Sequence, residues 1–69
     1  MMMKTGHLQK QENGRYCINE RLELSCGDSV EVETPNGWVM MWVEHDGIDY
    51  YLDNPKFSFY PKKIVARKS

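Results

Sequence analysis

The sequence predicts an all-β fold: a small SH3-like barrel of five to seven short antiparallel strands in a meander, with no substantial helix. Three observations predict it. First, Asn13-Gly14, Asn36-Gly37 and Asp46-Gly47 punctuate the 69-residue chain, and Asx-Gly is the easiest pair to place in a tight hairpin turn whose central residues need φ > 0. Second, the stretches between them are rich in β-branched and aromatic residues, which suit a pleated, half-buried surface. Third, Val30-Glu31-Val32-Glu33 alternates strictly, one face for the core and one for water. A chain of this length is a single domain, residues 1–69. It buries only about 60% of its unfolded surface. So small a barrel has little room for a catalytic cavity, and what it offers a partner is surface.

Taken in order, residues 1–5 read as disordered. Residues 7–11 and 15–19 flank Asn13-Gly14 as a first hairpin. A two-residue turn there sets Glu12 opposite Arg15 and puts Tyr16 and Ile18 on the face of Gln9 and Gln11. Leu22 and Leu24 alternate with Glu23 in a short strand. Cys26-Gly27-Asp28-Ser29 reads as a turn, with Asp28 accepting from backbone amides two residues on. The valine-glutamate strand follows, then the turn Thr34-Pro35-Asn36-Gly37 and the long strand 38–45. Asp46-Gly47 returns the chain into 48–53, and Asn54-Pro55 breaks it. Phe57-Ser58-Phe59 is a further short strand, Tyr60-Pro61 another break, and Ile64 to Arg67 a closing strand merging into a basic tail, 67–69.

Strand 38–45 is the part that a simple core-and-solvent account does not absorb. A two-residue turn at Asp46-Gly47 pairs His45 with Ile48, Val43 with Tyr50 and Met41 with Leu52. The opposite face pairs Glu44 with Asp49, Trp42 with Tyr51 and Met40 with Asp53, and its three carboxylates place it outward. The expected inner set is Val39, Met41, Val43, Ile48, Tyr50 and Leu52. The strand is then apolar on both faces, in a chain with no second layer to cover it. Contiguous exposed apolar patches mark interaction sites, and Trp, Tyr and Met are enriched in interface cores. The candidate partner-binding residues are therefore Trp38, Met40, Trp42 and Tyr51, with Glu44, Asp49 and Asp53 as a polar rim selecting a basic protein or a second copy of the chain. The turn 34–37 leaves one register open. A three-residue loop sets Val30 and Val32 on the face of Trp38, a two- or four-residue loop sets them with Val39, and a bulge or bend in strand 38–45 reconciles the two.

Net charge is −1, unevenly spread. Residues 1–19 carry +2, residues 20–53 carry nine acids against Arg21 alone, and residues 54–69 carry Lys56, Lys62, Lys63, Arg67 and Lys68 with no acid. Such asymmetry suits opposite charges meeting as the barrel closes, and general solubility. No apolar run resembles a secretion leader or a membrane span. Cys17 and Cys26 then read as buried, reduced thiols of a cytoplasmic protein.

The segments Leu24-Ser25-Cys26-Gly27-Asp28-Ser29-Val30-Glu31-Val32, Asn36-Gly37-Trp38-Val39, Val43-Glu44-His45-Asp46 and Tyr50-Tyr51-Leu52 resemble a short bacterial family of unknown function, frequent in Gram-positive genomes and mobile elements. Asn13-Gly14-Arg15-Tyr16 is similar to that family's first hairpin. The resemblance implies an SH3-like barrel, and its motifs are fold-forming and silent on activity. Where the family often has Pro-Gly-Arg, this chain has Met40-Met41-Trp42, an apolar replacement that points to a contact surface of its own.

Chemistry finds little support. His7, His45, Cys17 and Cys26 lack the paired spacing of a metal site, and no cofactor motif is present. His45 and Asp46 are strand neighbours pointing to opposite faces, so they form no catalytic dyad, and the chain reads as no enzyme. Nucleic-acid binding is the alternative: Trp42, Tyr51 and Tyr60 to stack, and Lys56, Lys62, Lys63, Arg67 and Lys68 to meet phosphates. Against it stand the carboxylates around Trp42 and a pI near 6.1. A further alternative is a mobile-element inhibitor whose carboxylates and aromatics occupy the basic surface of a nucleic-acid-processing protein.

Overall fold

Alternation of valine and glutamate sets the middle of the sheet: Val30 and Val32 are fully buried, while Glu31 and Glu33 point out. Around them the computed structural model describes residues 4–68. These residues form eight strands: β1 (Lys4–Lys10), β2 (Tyr16–Ile18), β3 (Leu22–Glu23), β4 (Ser29–Thr34), β5 (Gly37–His45), β6 (Tyr50–Asp53), β7 (Ser58–Phe59) and β8 (Ile64–Lys68). All neighbours are antiparallel, in the order β3-β2-β1-β8-β4-β5-β6-β7. The all-β, barrel-like class is as the sequence predicts.

The connectivity is richer than a plain meander. Two meanders, β1–β3 and β4–β7, are joined by the last strand. Residues 64–68 of β8 pair with β1 from Leu8↔Ile64 to Lys4↔Lys68, and with β4 at Val32↔Ala66 and Glu31↔Arg67. Lys4 and Thr5 are therefore strand residues rather than disordered, and Arg67 and Lys68 are strand rather than tail; residues 1–3 and 69 lie outside the described residues. The sheet curls on itself. Three strands separate β1 from β6, yet Lys10 Nζ on β1 lies 2.8 Å from Asp49 Oδ1 in the β5–β6 loop.

Inside sit Leu8, Tyr16, Ile18, Leu24, Val30, Val32, Met41, Val43, Leu52 and Ala66. Each large apolar side chain among them contributes about 1.5–3 kcal/mol by leaving water. Cys17 is buried as well, on the other face of β2. Cys26, expected inside, is exposed, because it sits at the second position of the turn Ser25–Asp28.

The turns depart from the expected types in a consistent way. Asn13, Asn36 and Asp46 all keep φ < 0, and only their glycines are left-handed. The first hairpin has a three-residue loop, with Gly14 N–H donating to Gln11 O at 2.9 Å and Gln11 N–H to Arg15 O at 2.8 Å. Tyr16 and Ile18 consequently stand opposite Lys10 and Leu8, not Gln11 and Gln9. Thr34 pairs with Gly37 around Pro35-Asn36, which sets Val30 opposite Met41 and Val32 opposite Val39 and resolves the open register in favour of the two-residue loop. The bulge lies on the other strand: Gly27 N–H donates to Val43 O (2.7 Å) while Val43 N–H donates to Asp28 O (2.8 Å), two residues against one, with Gly27 at φ +95°. Asp28 Oδ2 accepts from Ser25 N–H behind it, at 2.8 Å, rather than from amides ahead.

The β5–β6 turn is centred on Gly47-Ile48. Asp46 Oδ1 accepts from the Ile48 and Asp49 amides, both at 2.7 Å. Val43 then pairs with Leu52 and His45 with Tyr50, two residues from the expected register. A shift of two preserves sidedness, so Met41, Val43 and Leu52 are inside as expected. Ile48 is at the loop tip and 85% exposed, not in the core.

Two consecutive left-handed residues do occur, at Asn19 (φ 52°) and Glu20 (φ 60°), in the β2–β3 turn closed by Arg21 N–H to Ile18 O. The Asn19 side chain extends the β1–β2 ladder past that turn. Its Nδ2 donates to Thr5 O (3.0 Å) and its Oδ1 accepts from His7 N–H (3.3 Å), lying across Gly6, where a Cβ would collide with it.

Candidate interaction face and basic cleft

Side chains alternate along β5, so Trp38, Met40, Trp42 and Glu44 share its outer face. Register builds rows across the neighbouring strands. Glu33 stands opposite Trp38, Glu31 opposite Met40 and Ser29 opposite Trp42. On the other side Asp53 stands opposite Trp42, and Tyr51 opposite Glu44. The Tyr51 ring continues to Tyr60, centroids 5.7 Å apart.

Within this face the aromatics differ. Trp38 is covered: the Arg67 guanidinium lies 4.0 Å from its ring centroid, and Arg67 Nε also binds Glu31 Oε1 at 3.0 Å. Such a cation over an indole is attracted by the ring quadrupole. Met40 and Trp42 remain open, 46% and 41% exposed. Glu33 is exposed, while Glu44 and Asp53 are half-buried beside the apolar pair. Glu44 Oε2 also lies 3.6 Å from the Cys26 thiol. Six of the seven expected partner-binding residues thus share one face. Asp49 does not, because the turn shift takes it out of the ladder and onto Lys10.

The five basic residues proposed to meet phosphates are scattered. Lys56 is in the β6–β7 turn, whose Asn54 Oδ1 accepts from the Lys56 and Phe57 amides. Arg67 is held over Trp38, and Lys68 Nζ donates to Ser29 O at 2.8 Å. Lys62 and Lys63 lie elsewhere, at a cleft of about 420 Å³ between the end of β1 and the β7–β8 connection. Its buried floor is Leu8, Tyr16 and Pro61, and its rim is Lys10, Lys62, Lys63, Asp49 and Tyr60. Lys10 and Tyr16 were not legible as site residues, since only the barrel's closure brings β1 beside residues 60–63. The run Tyr60-Pro61-Lys62-Lys63 was the one local signal.

Electrostatics tie the cleft's rim together. The Tyr60 hydroxyl donates to Asp46 Oδ2. That bond, with the Asp49 and Ile48 amides, lowers the Asp46 carboxyl from 3.8 to about 2. In return Asp46 raises the Tyr60 phenol. The hydrogen bond from Lys10 to Asp49 raises the ammonium, and burial raises the Tyr16 phenol. Among the described residues, no three His, Cys, Asp or Glu side chains gather as a metal-binding group, and no helix is long and apolar enough to cross a membrane.

A family described as Domain of unknown function (DUF5348) matches residues 6–64. The chain belongs to that family. The DUF5348 span runs from Gly6 in β1 to Ile64 at the start of β8, so it holds the open face and the cleft and leaves out Arg67 and Lys68. No curated protein and no solved structure matches the chain.

Proposed function

We propose that this protein is a cytoplasmic, non-enzymatic interaction module that binds a basic protein partner through the outer face of β4–β7. The observation that supports the reading is the pair Met40 and Trp42, both open to solvent in the middle of a strand and framed by Glu33, Glu44 and Asp53. An aromatic anchor surrounded by like charges fits a partner that brings an apolar pocket ringed by Lys or Arg. Trp42 and Tyr51 anchor the contact, Met40 extends it, and Arg67 holds Trp38 in place behind them. The motif resemblance to short bacterial chains of mobile elements suits a partner that itself handles nucleic acid, whose basic surface this face would occupy.

The test is a pull-down of tagged protein from its host's lysate, with and without nuclease, beside Trp42→Lys. A partner that survives nuclease and is lost with Trp42→Lys, the variant keeping the wild-type melting curve, is the expected result. Retention of the partner by Trp42→Lys, or unfolding of that variant, sinks the reading. A doubled mass of the purified protein, reversed by Trp42→Lys, makes the partner a second copy.

A further inference from the structure

The basic cleft meets the face proposed above at Tyr60 and has features that face does not explain. Its rim carries Lys10, Lys62 and Lys63 against Asp49 alone, a local positive excess in a chain of net charge −1. Lys10 is engaged by Asp49, whereas among the described residues neither Lys62 nor Lys63 forms a salt bridge. Lys63 is left-handed, φ 46°. The other two non-glycine residues with positive φ, Asn19 and Glu20, are explained by their tight hairpin turn. Among the described residues no hydrogen-bonded turn closes around Lys63, and backbone strain of this kind clusters at ligand sites. The same cleft is lined by the buried Leu8, Tyr16 and Pro61, and by the Tyr60 ring, which is 55% exposed with its hydroxyl fixed by Asp46.

We propose that this cleft binds a nucleoside phosphate, the base against Tyr60 and the apolar floor and the phosphate between Lys62 and Lys63. The choice of anion follows from the cations. Lysine serves phosphate as a point charge, and Lys62 and Lys63 are two such charges side by side on the cleft's rim. A cleft of about 420 Å³ is of the size that holds a small ligand, and an exposed tyrosine ring offers a base its stacking surface. Asp49, on the rim, supplies an acceptor for a base amine. The same chemistry is offered by a free nucleotide and by one unit of a single strand.

The experiment titrates the full chain at low salt with a mononucleotide, inorganic phosphate, a fluorescent single-stranded oligonucleotide and its duplex. It compares wild type with Lys62→Glu/Lys63→Glu, Tyr60→Ala and Lys56→Glu. The expected result is mononucleotide binding weakened at least about tenfold by the double lysine variant and about tenfold by Tyr60→Ala, and unchanged by Lys56→Glu. For the oligonucleotide, log K falls with log salt at a slope of about −0.7, as for one phosphate of a single strand. A single strand bound much more tightly than the mononucleotide names a strand as the source, and equal affinity names the free nucleotide; either supports the proposal. No binding, phosphate bound as well as the mononucleotide, duplex bound as well as single strand, or equal loss with Lys56→Glu overturns it. All three lysines are exposed, and unchanged melting curves show that their variants fold.

Discussion

Asp46 carries more than its share at the scale of single residues. One carboxyl oxygen accepts from the Ile48 and Asp49 amides and the other from the Tyr60 hydroxyl, so the ionised form holds the β5–β6 turn and fixes the ring that borders both the open face and the cleft. Its carboxyl is lowered from 3.8 to about 2, chiefly by the Tyr60 hydrogen bond and then by the two amides. A lowered carboxylate stabilises the folded state above its unfolded value, and that stability is lost as pH falls through the folded one. The window is therefore from about pH 4 down to about 2. Urea unfolding followed across that window should show wild-type stability falling more steeply than that of Asp46→Asn, which has no proton to take up. Equal slopes would mean that the carboxylate is not held in this way in solution.

The turns decide what can be read from the sequence at the scale of elements. Glu20 is left-handed at the second central position of the β2–β3 turn, where a side chain costs about 1–2 kcal/mol and glycine costs nothing sterically. After the entropy that glycine adds to the unfolded chain, Glu20→Gly should stabilise by about 0.5 kcal/mol, seen as a higher urea midpoint at unchanged m-value; a lower midpoint would refute it. The Asx-Gly pairs announced hairpins correctly and turn centres poorly. Proline fixes φ near −65° and so takes the first central position at Pro35-Asn36, while the Asp46 carboxylate caps the amides after it and moves the centre onto Gly47-Ile48. The valine-glutamate alternation made the inner face of β4 legible, and the carboxylates made the outer face of β5 legible. Neither signal fixes an offset of two, which leaves the side chains of the β5–β6 ladder on their faces yet puts Asp49 and Ile48 in the loop, off the partner face and out of the core. The first hairpin had no strong alternation to overrule the turn, so its one-residue error exchanged faces and hid Tyr16 and Ile18 as core.

Over the whole molecule, the charge asymmetry and the chain's last strand act together. Each of the three ion pairs among the described residues joins a cation from one end of the sequence to an acid of its middle: Lys10 to Asp49, Arg15 to Glu23 and Arg67 to Glu31. Closure of the barrel thus neutralises part of the acidic middle and leaves Glu33, Glu44 and Asp53 to the open face. β8 is what joins the two meanders, since β1 and β4 share no ladder and each pairs with it. A chain ending at Tyr60 should therefore lose cooperative unfolding and amide dispersion altogether, and a folded core surviving that truncation would show that β4–β7 closes without it. The sheet's two margins, β3 and β7, are only two residues long. A visiting strand finds there no more than a couple of free backbone groups to pair with, too few for recognition by strand addition and too few to template fibres. Margins this short favour recognition by side chains, which single substitutions can change without any alteration of the sheet.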